Sequence, residues 1–501
     1  MSSNRILRNV DILRRIFKHS DSSQNYDNVL VSKVWSNQAL SILWRTLDSL
    51  LPLLRLLGPM TLASGEGRPY YKYDRLINSE DWVVFQRYAW RVRRIEIGYM
   101  RPPNFSDSVF MDIIIASRTL SGVELLPNLQ SLSSEDTLFI QKWIPLFINK
   151  SLSALDLRVS GPVDMHLLTR TLSHLHHLCP KLQNLSLSTE FVLDDAPQFD
   201  AALSSLLSLK ELDLSSPLLS LSTINTLAHL PYLETFTISD MDGEESTLPA
   251  MPLSDAFPSL GTFASDAAGF RSIASFLEAY EPRKLHTLYV YSASTESRAT
   301  YQSLVAAIAS ACPDIKDLHL LSKLVADIEP IADPLLSTIS YHLTALTSLK
   351  LNSPPPLKLD VGCMKALLTA LPSLHTLKLL EKIGPPTLPL SALSELAPLC
   401  PVMRFLALYL DTKHVSASAP PNAIFPCLEV LNVQSSPLES SARDVATFLG
   451  SVLPLTCVVQ HSHYIDGPER LKWRPVVDFL PLIFELRAAK QAFNPIAPSE
   501  K

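Results

Sequence analysis

The sequence predicts an α/β fold in which short parallel strands alternate with helices along a stacked array, preceded by a small all-α module. Three observations predict it. The length of 501 residues exceeds the about 250–300 residues at which a single hydrophobic core stops growing. Leucine makes up about 18% of the chain, well above its ordinary use. One short apolar pattern returns about every 27 residues, and a fixed period of this size indicates a repeat architecture.

The repeated pattern has three apolar positions, separated by two and then by one variable residue, as in Leu182, Leu185 and Leu187. Alternate side chains of a strand point to the same side, so the second and third positions both face inward. A single copy cannot bury this apolar row alone, but a stack of copies can. The copies begin at positions 129, 152, 182, 209, 233, 260, 285, 315, 346, 374, 403 and 428, with an earlier one at 92.

Between the copies the apolar spacing changes to that of a helix, as in residues 163–178 and 301–311. Prolines such as Pro180 and Pro313 stand two residues before the first apolar position of the next copy. Proline cannot continue a helix, and it biases the preceding residue to extended geometry. Each unit is therefore predicted as a helix, a proline stop, a short strand and a loop. A doubly wound sheet would also alternate strands and helices, but not with about twelve copies of one motif.

This part resembles a leucine-rich-repeat array. The resemblance implies a solenoid with parallel strands on the concave face and helices on the convex face. The family motif carries Asn or Cys three residues after the third apolar position, where this chain has other residues, so no asparagine ladder is expected. Those positions include Ser160, Glu190, Pro217, Lys382 and Ser436.

The first fifty residues do not follow the repeat. An apolar helix face begins at Ile12 and Leu13, with Asn9 or Asp11 as its cap. A polar gap follows at 20–28, then an apolar segment at 29–35 and a third amphipathic segment at 39–47, so three short helices are expected. A module of about 45 residues is too small for an independent core. We therefore expect it to lean on its neighbour or on a partner chain.

This module resembles an F-box, as found in fungal F-box proteins. The similarity rests on three motifs in order: Asp11-Ile-Leu-Arg-Arg-Ile-Phe17, Val31-Ser-Lys-Val-Trp35 and Ile42-Leu-Trp-Arg45. Arg8 and Asn9 stand where the family has Leu-Pro. The resemblance implies docking on a Skp1-type adaptor and, through it, membership of a cullin–RING ubiquitin ligase. The implied docking residues are Ile12, Leu13, Ile16, Phe17, Val31, Trp35, Leu43 and Trp44. The same side chains are equally suited to form the module's own small core.

Four segments are predicted: the F-box-like module at 5–48, a helical bridge and cap at 49–100, the solenoid at 101–460, and a C-terminal helical cap and tail at 461–501. The bridge is expected to contain a loop at 65–71 and a helix at 81–90. The final cap is expected to be a helix over 474–493, since the last repeat would otherwise expose an apolar face.

The composition argues against an enzyme and against a cofactor. Only 13 glycines are present, and no glycine-rich phosphate-binding motif occurs. The net charge of −6 is unsuited to nucleic acid, which calls for a basic stripe. No metal is expected at the histidines near 174–177 or at 461 and 463, and the arginines at 87–94 are assigned to a solvated helix end. The spaced cysteines and the absence of an apolar leader or span favour a reduced compartment, cytoplasmic or nuclear, away from membranes.

Side chains that alternate with the inward leucines line the open strand surface. Aromatic residues are enriched in binding hot spots, so a target-facing set is predicted here, with ordinary surface as the alternative. The set is Tyr289, Tyr291, His319, Lys378, Phe405 and Tyr409. The sequence thus predicts either a ubiquitin-ligase substrate receptor for an unknown protein, or a leucine-rich-repeat scaffold that is not coupled to ubiquitination.

Overall fold

The structure is a computed structural model. It describes residues 9–64, 69–98, 104–120, 124–160, 165–192, 196–240, 247–323, 334–352, 359–380, 386–415, 424–461 and 468–493. Two compact units are present, Met1–Leu233 and Glu234–Lys501. Each is described separately below. The predicted boundaries at 48, 100 and 460 stay predictions.

Three helices form the N-terminal module: α1 (Val10–His19), α2 (Ser22–Val31) and α3 (Lys33–Leu43). The side chain of Asn9 caps α1 by accepting from the backbone N–H groups of Asp11 and Ile12, which confirms one of the two predicted caps. The module has the three helices that the sequence predicts, but α2 runs through the polar gap at 20–28 and begins before the apolar segment at 29–35. Asp21 caps α2, and the buried Asn25 donates to the carbonyl of Phe17 at 2.9 Å. Polar side chains hold this helix where an apolar stripe would be expected.

The rest of the first unit alternates strands and helices. Its strands are β1 (Thr46–Leu47), β2 (Met60–Ala63), β3 (Tyr70–Tyr73), β4 (Arg94–Ile97), β5 (Asn104–Phe105), β6 (Ser131–Ser134), β7 (Ala154–Val159), β8 (Asn184–Thr189) and β9 (Glu211–Ser215). Its helices are α4 (Leu51–Leu54), α5 (Ser79–Ala89), α6 (Asp107–Leu120), α7 (Thr137–Lys142), α8 (Met165–Ser173), α9 (Leu175–Leu178), α10 (Ala196–Ser205) and α11 (Leu221–Ala228).

Among the described residues of the first unit, β1, β4, β6, β7, β8 and β9 form one parallel sheet in chain order. Strands β2, β3 and β5 form a separate small sheet, in which β2 and β3 are antiparallel. The loop predicted at 65–71 is therefore wrong at Tyr70 and Tyr71, which belong to β3, while 65–68 lie outside the described residues. The bridge contains strands as well as the helix α5.

The second unit continues the alternation. Its strands are β10 (Thr235–Ser239), β11 (Thr262–Ser265), β12 (Thr287–Ser292), β13 (Asp317–Ser322), β14 (Ser348–Asn352), β15 (Thr376–Leu380), β16 (Leu388–Pro389), β17 (Phe405–Ala407), β18 (Leu410–Asp411), β19 (Val430–Asn432) and β20 (Val458–Gln460). Its helices are α12 (Phe270–Tyr280), α13 (Arg298–Ala311), α14 (Pro334–His342), α15 (Val361–Ala370), α16 (Ala392–Leu396), α17 (Ala442–Val452) and α18 (Pro468–Phe493).

The described strands of this unit, except β16 and β18, form a parallel sheet in chain order, and β16 pairs with β18 alone. A strand begins two residues after the first apolar position of every copy, which confirms the predicted repeat. Each unit therefore has the α/β architecture of a leucine-rich-repeat solenoid. Strands β1 and β20 were not predicted, because neither carries the full three-position pattern.

Burial alternates along most strands of the parallel sheets as the pattern predicts. Leu318 and Leu320 of β13 are fully buried, and they stand in register with Leu349 and Leu351 of β14. Full burial of one leucine side chain contributes about 1.5–3 kcal/mol. Helices cover this row, as the stacked rings of Phe263 in β11 and Phe276 in α12 illustrate, with centroids 4.7 Å apart. The opposite side of each strand stays open.

Serine hydroxyls take a further inward position at the ends of several strands. Ser292 and Ser322 follow the third apolar residue by two positions and are buried, and the Ser322 hydroxyl lies 3.0 Å from the phenol oxygen of Tyr301. Ser436 accepts from the backbone N–H of Leu410 at 2.8 Å. Buried polar backbone needs such partners. Ser436 stands where the family motif has Asn or Cys, while Ser292 and Ser322 stand one residue before that position.

The residues before three of the prolines also have a structural role. Cys179, Cys312 and Cys400 cap the ends of helical segments, and burial raises the pKa of each thiol to about 12. All six cysteines are free thiols. A buried thiol with a raised pKa is unreactive, which fits a packing role.

Helix α18 follows the last strand and covers the end of the second unit. Trp473 is almost fully buried and donates from its indole nitrogen to the carbonyl of Ser436 at 2.7 Å. Arg487 donates to the carbonyls of Gly450 and Leu453. A Cβ at Gly450 would clash with Ile483, so glycine permits the close approach of α17 and α18. Residues 494–501 of the predicted tail lie outside the described residues.

Candidate functional site

The first candidate surface lies on the N-terminal module. Its small core consists of Leu13, Phe17 and Ala39, with Val29, Trp35 and Ile42 packed against it. The rings of Phe17 and Trp35 meet edge to face, with centroids 5.2 Å apart. Aromatic pairs in this geometry add about 0.5–1.5 kcal/mol beyond the area they bury. The module thus forms a core from residues of all three helices.

The eight predicted docking residues fall into two groups. Leu13 and Phe17 are buried in the module's core, while Ile12, Ile16 and Val31 have exposed fractions of 37%, 51% and 59%. The remaining three, Trp35, Leu43 and Trp44, are half-buried. The sequence left open whether these residues dock on an adaptor or form the module's own core. The buried residues fit the core, and the exposed residues fit docking.

Trp44 also links the module to the solenoid. Its ring packs on Tyr88 of α5 with centroids 4.7 Å apart. Nearby, Arg91 donates to the side-chain oxygen of Asn37 at 2.7 Å and lies over the ring of Trp90 at 4.5 Å. Arg91 therefore has defined partners, beyond the solvated helix end that was predicted for the arginines at 87–94.

Sequence reasoning missed three further exposed apolar side chains of the module. Leu30 is 84% exposed, and Val10 and Val34 are also exposed. Adjacent Val29, Leu30 and Val31 could have signalled this, because three successive apolar residues on a helix cannot all face one core. Each helix of the module therefore presents apolar side chains to solvent.

The second candidate surface is the open side of the strands in the second unit. Tyr289 on β12 is in register with His319 on β13, and their rings meet edge to face at 5.9 Å. His319 is in register with Lys350 on β14, which is in register with Lys378 on β15. We call these four residues the lysine row.

Burial and like charge shape the electrostatics of the lysine row. Burial and then the charge of Lys350 lower the pKa of His319 to about 4, with Asp317 opposing the shift and Lys378 adding to it, so the imidazole is neutral near pH 7. Burial and then Lys350 lower the pKa of Lys378. Burial, Asp266 and Tyr291 raise the pKa of Tyr289. The imidazole nitrogen Nε2 of His319 lies 3.3 Å from the Ser348 hydroxyl.

The six predicted target-facing residues are not all in one place. Tyr289, His319 and Lys378 belong to the lysine row, and Tyr291 lies two residues further along β12. Phe405 is half-buried and pairs with Thr376, two residues before Lys378. Tyr409 lies beyond the end of β17 and is buried, with an exposed fraction of 8%. Sequence reasoning missed Lys350, although it stands between two inward leucines like the others.

The open side of the first unit is acidic and hydroxyl-rich. Asp156 on β7 is in register with Ser133 and with Ser186, and it accepts from the Ser133 hydroxyl at 2.8 Å. Asp213 accepts from Ser186 at 3.3 Å. These carboxylates have hydroxyl partners within the sheet.

Two cavities were considered as small-molecule sites. One of about 550 Å³ lies beside α12 and is lined in part by Phe257 and Tyr280. A smaller one of about 160 Å³ is lined by Phe110 and Trp143, whose rings stack at 4.7 Å, and by the ion pair of Lys142 with Asp107.

In the part of the chain that the structure describes, no three His, Cys, Asp or Glu side chains are grouped to hold a metal ion. The rings of His176 and His177 lie 3.7 Å apart without such a group, and His463 lies outside the described residues. Among the described helices, none combines the length and the apolar content that crossing a bilayer requires.

This chain is similar to several solved structures. No family model matches this chain, and no curated protein matches it. A chain in the TLR13–ssRNA13 complex is similar, with a TM-score of 0.35 and 17% identity over 76% of this chain and 43% of that one. A chain in the yeast Rad7–Elc1 complex has a TM-score of 0.33 and 17% identity, over 69% and 76% of the two chains.

A chain in the Drosophila Toll–Spatzle complex has a TM-score of 0.38 and 14% identity, over 78% of this chain and 53% of that one. This chain spans less than half of the length of the chain in the TLR13–ssRNA13 complex. Similarity at this level says nothing about partners, so the assignment of the fold rests on the strand register given above.

Proposed function

We propose that this protein is the substrate-recognition subunit of an SCF-type E3 ubiquitin ligase. The observation that carries the proposal is that the apolar side chains of the N-terminal module form a buried group and an exposed group. Leu13 and Phe17 complete its core, while Ile12, Ile16 and Val31 stay exposed. Apolar side chains in excess of a module's own core are typical of a protein–protein interface. The F-box resemblance identifies the partner as a Skp1-type adaptor.

The proposal requires no catalytic residue in this chain. The module binds the adaptor, and the open side of the strands binds a protein target. Tethering the target beside a ubiquitin-loaded enzyme raises its effective concentration there. The Trp44–Tyr88 and Arg91–Asn37 contacts support this mechanism, because they attach the adaptor-binding module to the repeat array.

The direct experiment is co-purification with a Skp1-type adaptor. Removal of residues 1–48 is unsuitable, because it would also remove β1, whose Leu47 is buried and pairs with Ile95 of β4. The double variant Ile12→Asp/Ile16→Asp instead changes only exposed side chains. We expect the wild type to retain the adaptor and the variant to lose at least about tenfold in recovery, since burying an unpaired carboxylate is costly.

Leu207→Asp is the matched control, because Leu207 is 60% exposed and lies outside the module. This control is expected to retain the adaptor as the wild type does. Failure of the wild type to retain any adaptor would contradict the proposed ligase role.

A second function, a leucine-rich-repeat scaffold not coupled to ubiquitination, is favoured by one observation. Asn9 stands where the family has proline, and its side chain is used to cap α1. The adjacent Arg8, where the family has leucine, lies outside the described residues. A wild-type chain that binds protein targets but no adaptor would support this second function.

A further inference from the structure

The lysine row places two cations side by side. Lys350 and Lys378 are directly opposite each other on neighbouring strands, which lie about 4.8 Å apart in a sheet. Like charges in this arrangement are destabilising. Among the described residues no carboxylate pairs with either ammonium group. The nearby Asp317 instead lies within 3.5 Å of the hydroxyls of Thr287 and Thr347.

The next residue in the row adds no counter-charge. His319 is neutral near pH 7, since burial, Lys350 and Lys378 outweigh the opposing charge of Asp317 and lower its pKa to about 4. Beyond it, Tyr289 and Tyr291 are 36% and 38% exposed on a rigid strand. Exposed tyrosines with few rotatable bonds are well suited as binding hot spots. The open side of β12–β15 therefore changes from aromatic to cationic within four strands.

We propose that the lysine row binds an acidic peptide segment of a target protein, laid across strands β12 to β15 with its carboxylates on Lys350 and Lys378 and an apolar side chain on Tyr289 and Tyr291. This inference rests on the proposed function, since it names the chemistry of the target. Charge complementarity selects the occupant, because an incoming carboxylate removes the repulsion between the two lysines.

The geometry also sets the spacing within the peptide. Three strand intervals of about 4.8 Å separate Tyr289 from Lys378, or about 14 Å. An extended chain covers about 3.3 Å per residue. The apolar residue and the acidic residue should therefore be about four positions apart. Two lysines are too few for nucleic acid, whose binding depends on many phosphate contacts.

The experiment is a selection of random twelve-residue peptides, displayed on phage, against the full chain. We expect enriched peptides to carry Asp or Glu about four positions from an aromatic or aliphatic residue. The double variant Lys350→Gln/Lys378→Gln should lose at least tenfold in affinity for them. The control Lys365→Gln/Lys413→Gln removes the same charge from lysines paired with Glu395 and Glu439, and should bind as the wild type does.

Several outcomes would overturn the inference. They are enrichment of peptides without acidic residues, failure to enrich any peptide, and equal binding by the lysine-row variant. A phosphoserine version of an enriched peptide that binds more than tenfold tighter would also reject an unmodified acidic segment. Thermal unfolding of the double variant should show an unchanged or raised midpoint, because it removes like-charge repulsion.

Retention of the Skp1-type adaptor by each variant is measured in parallel. Adaptor binding without selection of acidic peptides would reject this inference and leave the ligase proposal standing. Selection of acidic peptides without adaptor binding would reject the ligase proposal and leave this inference standing.

Discussion

The imidazole of His319 is the most strongly perturbed histidine among the described residues. We expect it to titrate near pH 4, because burial and the charges of Lys350 and Lys378 all disfavour its protonation. An unfolded chain would take up this proton near pH 6.5. The contribution of the neutral imidazole to stability is therefore complete above about pH 6.5 and decreases as the pH falls towards 4.

Histidine-selective NMR can follow this titration, with His319→Gln identifying the signal. Lys350→Gln should move the His319 titration to higher pH, because it removes one of the two cations. A wild-type midpoint near 6.5 would contradict the electrostatic description of the lysine row.

At the residue scale, strand periodicity predicted some positions well and others poorly. Tyr289, Tyr291 and Lys378 are on the open side because each stands between two inward residues of a strand. The same rule fails at Tyr409, since β17 ends at Ala407 and alternation does not continue past a strand's end. Lys350 obeys the rule but became interesting only through its register with Lys378, which a single strand cannot reveal.

Among the elements, α18 offers the clearest test of a cap. Trp473→Ala removes a buried indole and its hydrogen bond to the carbonyl of Ser436. Deletion of a buried aromatic side chain costs about 3–5 kcal/mol. We expect the free energy of unfolding, measured by urea denaturation, to fall by this order in the transition that involves the second unit.

Leu471→Ala is the control, since Leu471 lies in the same helix and is 71% exposed. It should change the free energy of unfolding by less than about 0.5 kcal/mol. Equal effects of the two substitutions would show that α18 does not pack as described.

The elements that sequence reasoning found and missed differ in what stabilises them. Helices such as α13 carry an apolar face at the spacing of a helix and were predicted. Helix α2 begins earlier than the apolar segment at 29–35 indicated, because polar groups, Asp21 at its cap and Asn25 in its interior, provide its local bonds. Strands β1 and β20 were missed because they are held by the neighbouring strand, through pairs such as Leu47 with Ile95, and not by a pattern of their own.

At the scale of the whole molecule, stability should be local along the repeats. Each repeat of such an array contacts chiefly its neighbours. Leu318→Ala removes a fully buried side chain between Leu288 and Leu349, at a cost of about 2–5 kcal/mol. Native-state hydrogen exchange should therefore lose protection mostly in β12, β13 and β14.

Lys316→Ala is the control for this substitution, because the exposed Lys316 precedes the same strand and its loss leaves no cavity. It should leave the exchange pattern unchanged. Uniform loss of protection across the second unit in Leu318→Ala would indicate one cooperative core in place of stacked repeats.

The unusual composition has the same origin as this locality. Three inward positions per repeat account for much of the leucine, and the prolines before strands explain many of the 38 in the chain. Buried serines such as Ser292 and Ser322 account for part of the serine. The repeat architecture was predictable because its apolar pattern occurs in about twelve copies along the chain. The N-terminal module was predictable only in outline, since its motifs occur once.

The alternation of buried and open side chains along most strands of the parallel sheets has a consequence for engineering. Residues that determine stability and residues that meet a ligand occupy different positions of the same five-residue strand, as Leu349 and Lys350 do on β14. The open positions are therefore free to be randomised as a set while the apolar rows are kept. The fold is therefore suited as a scaffold for libraries of binding variants, in which binding specificity is changed without redesign of the core.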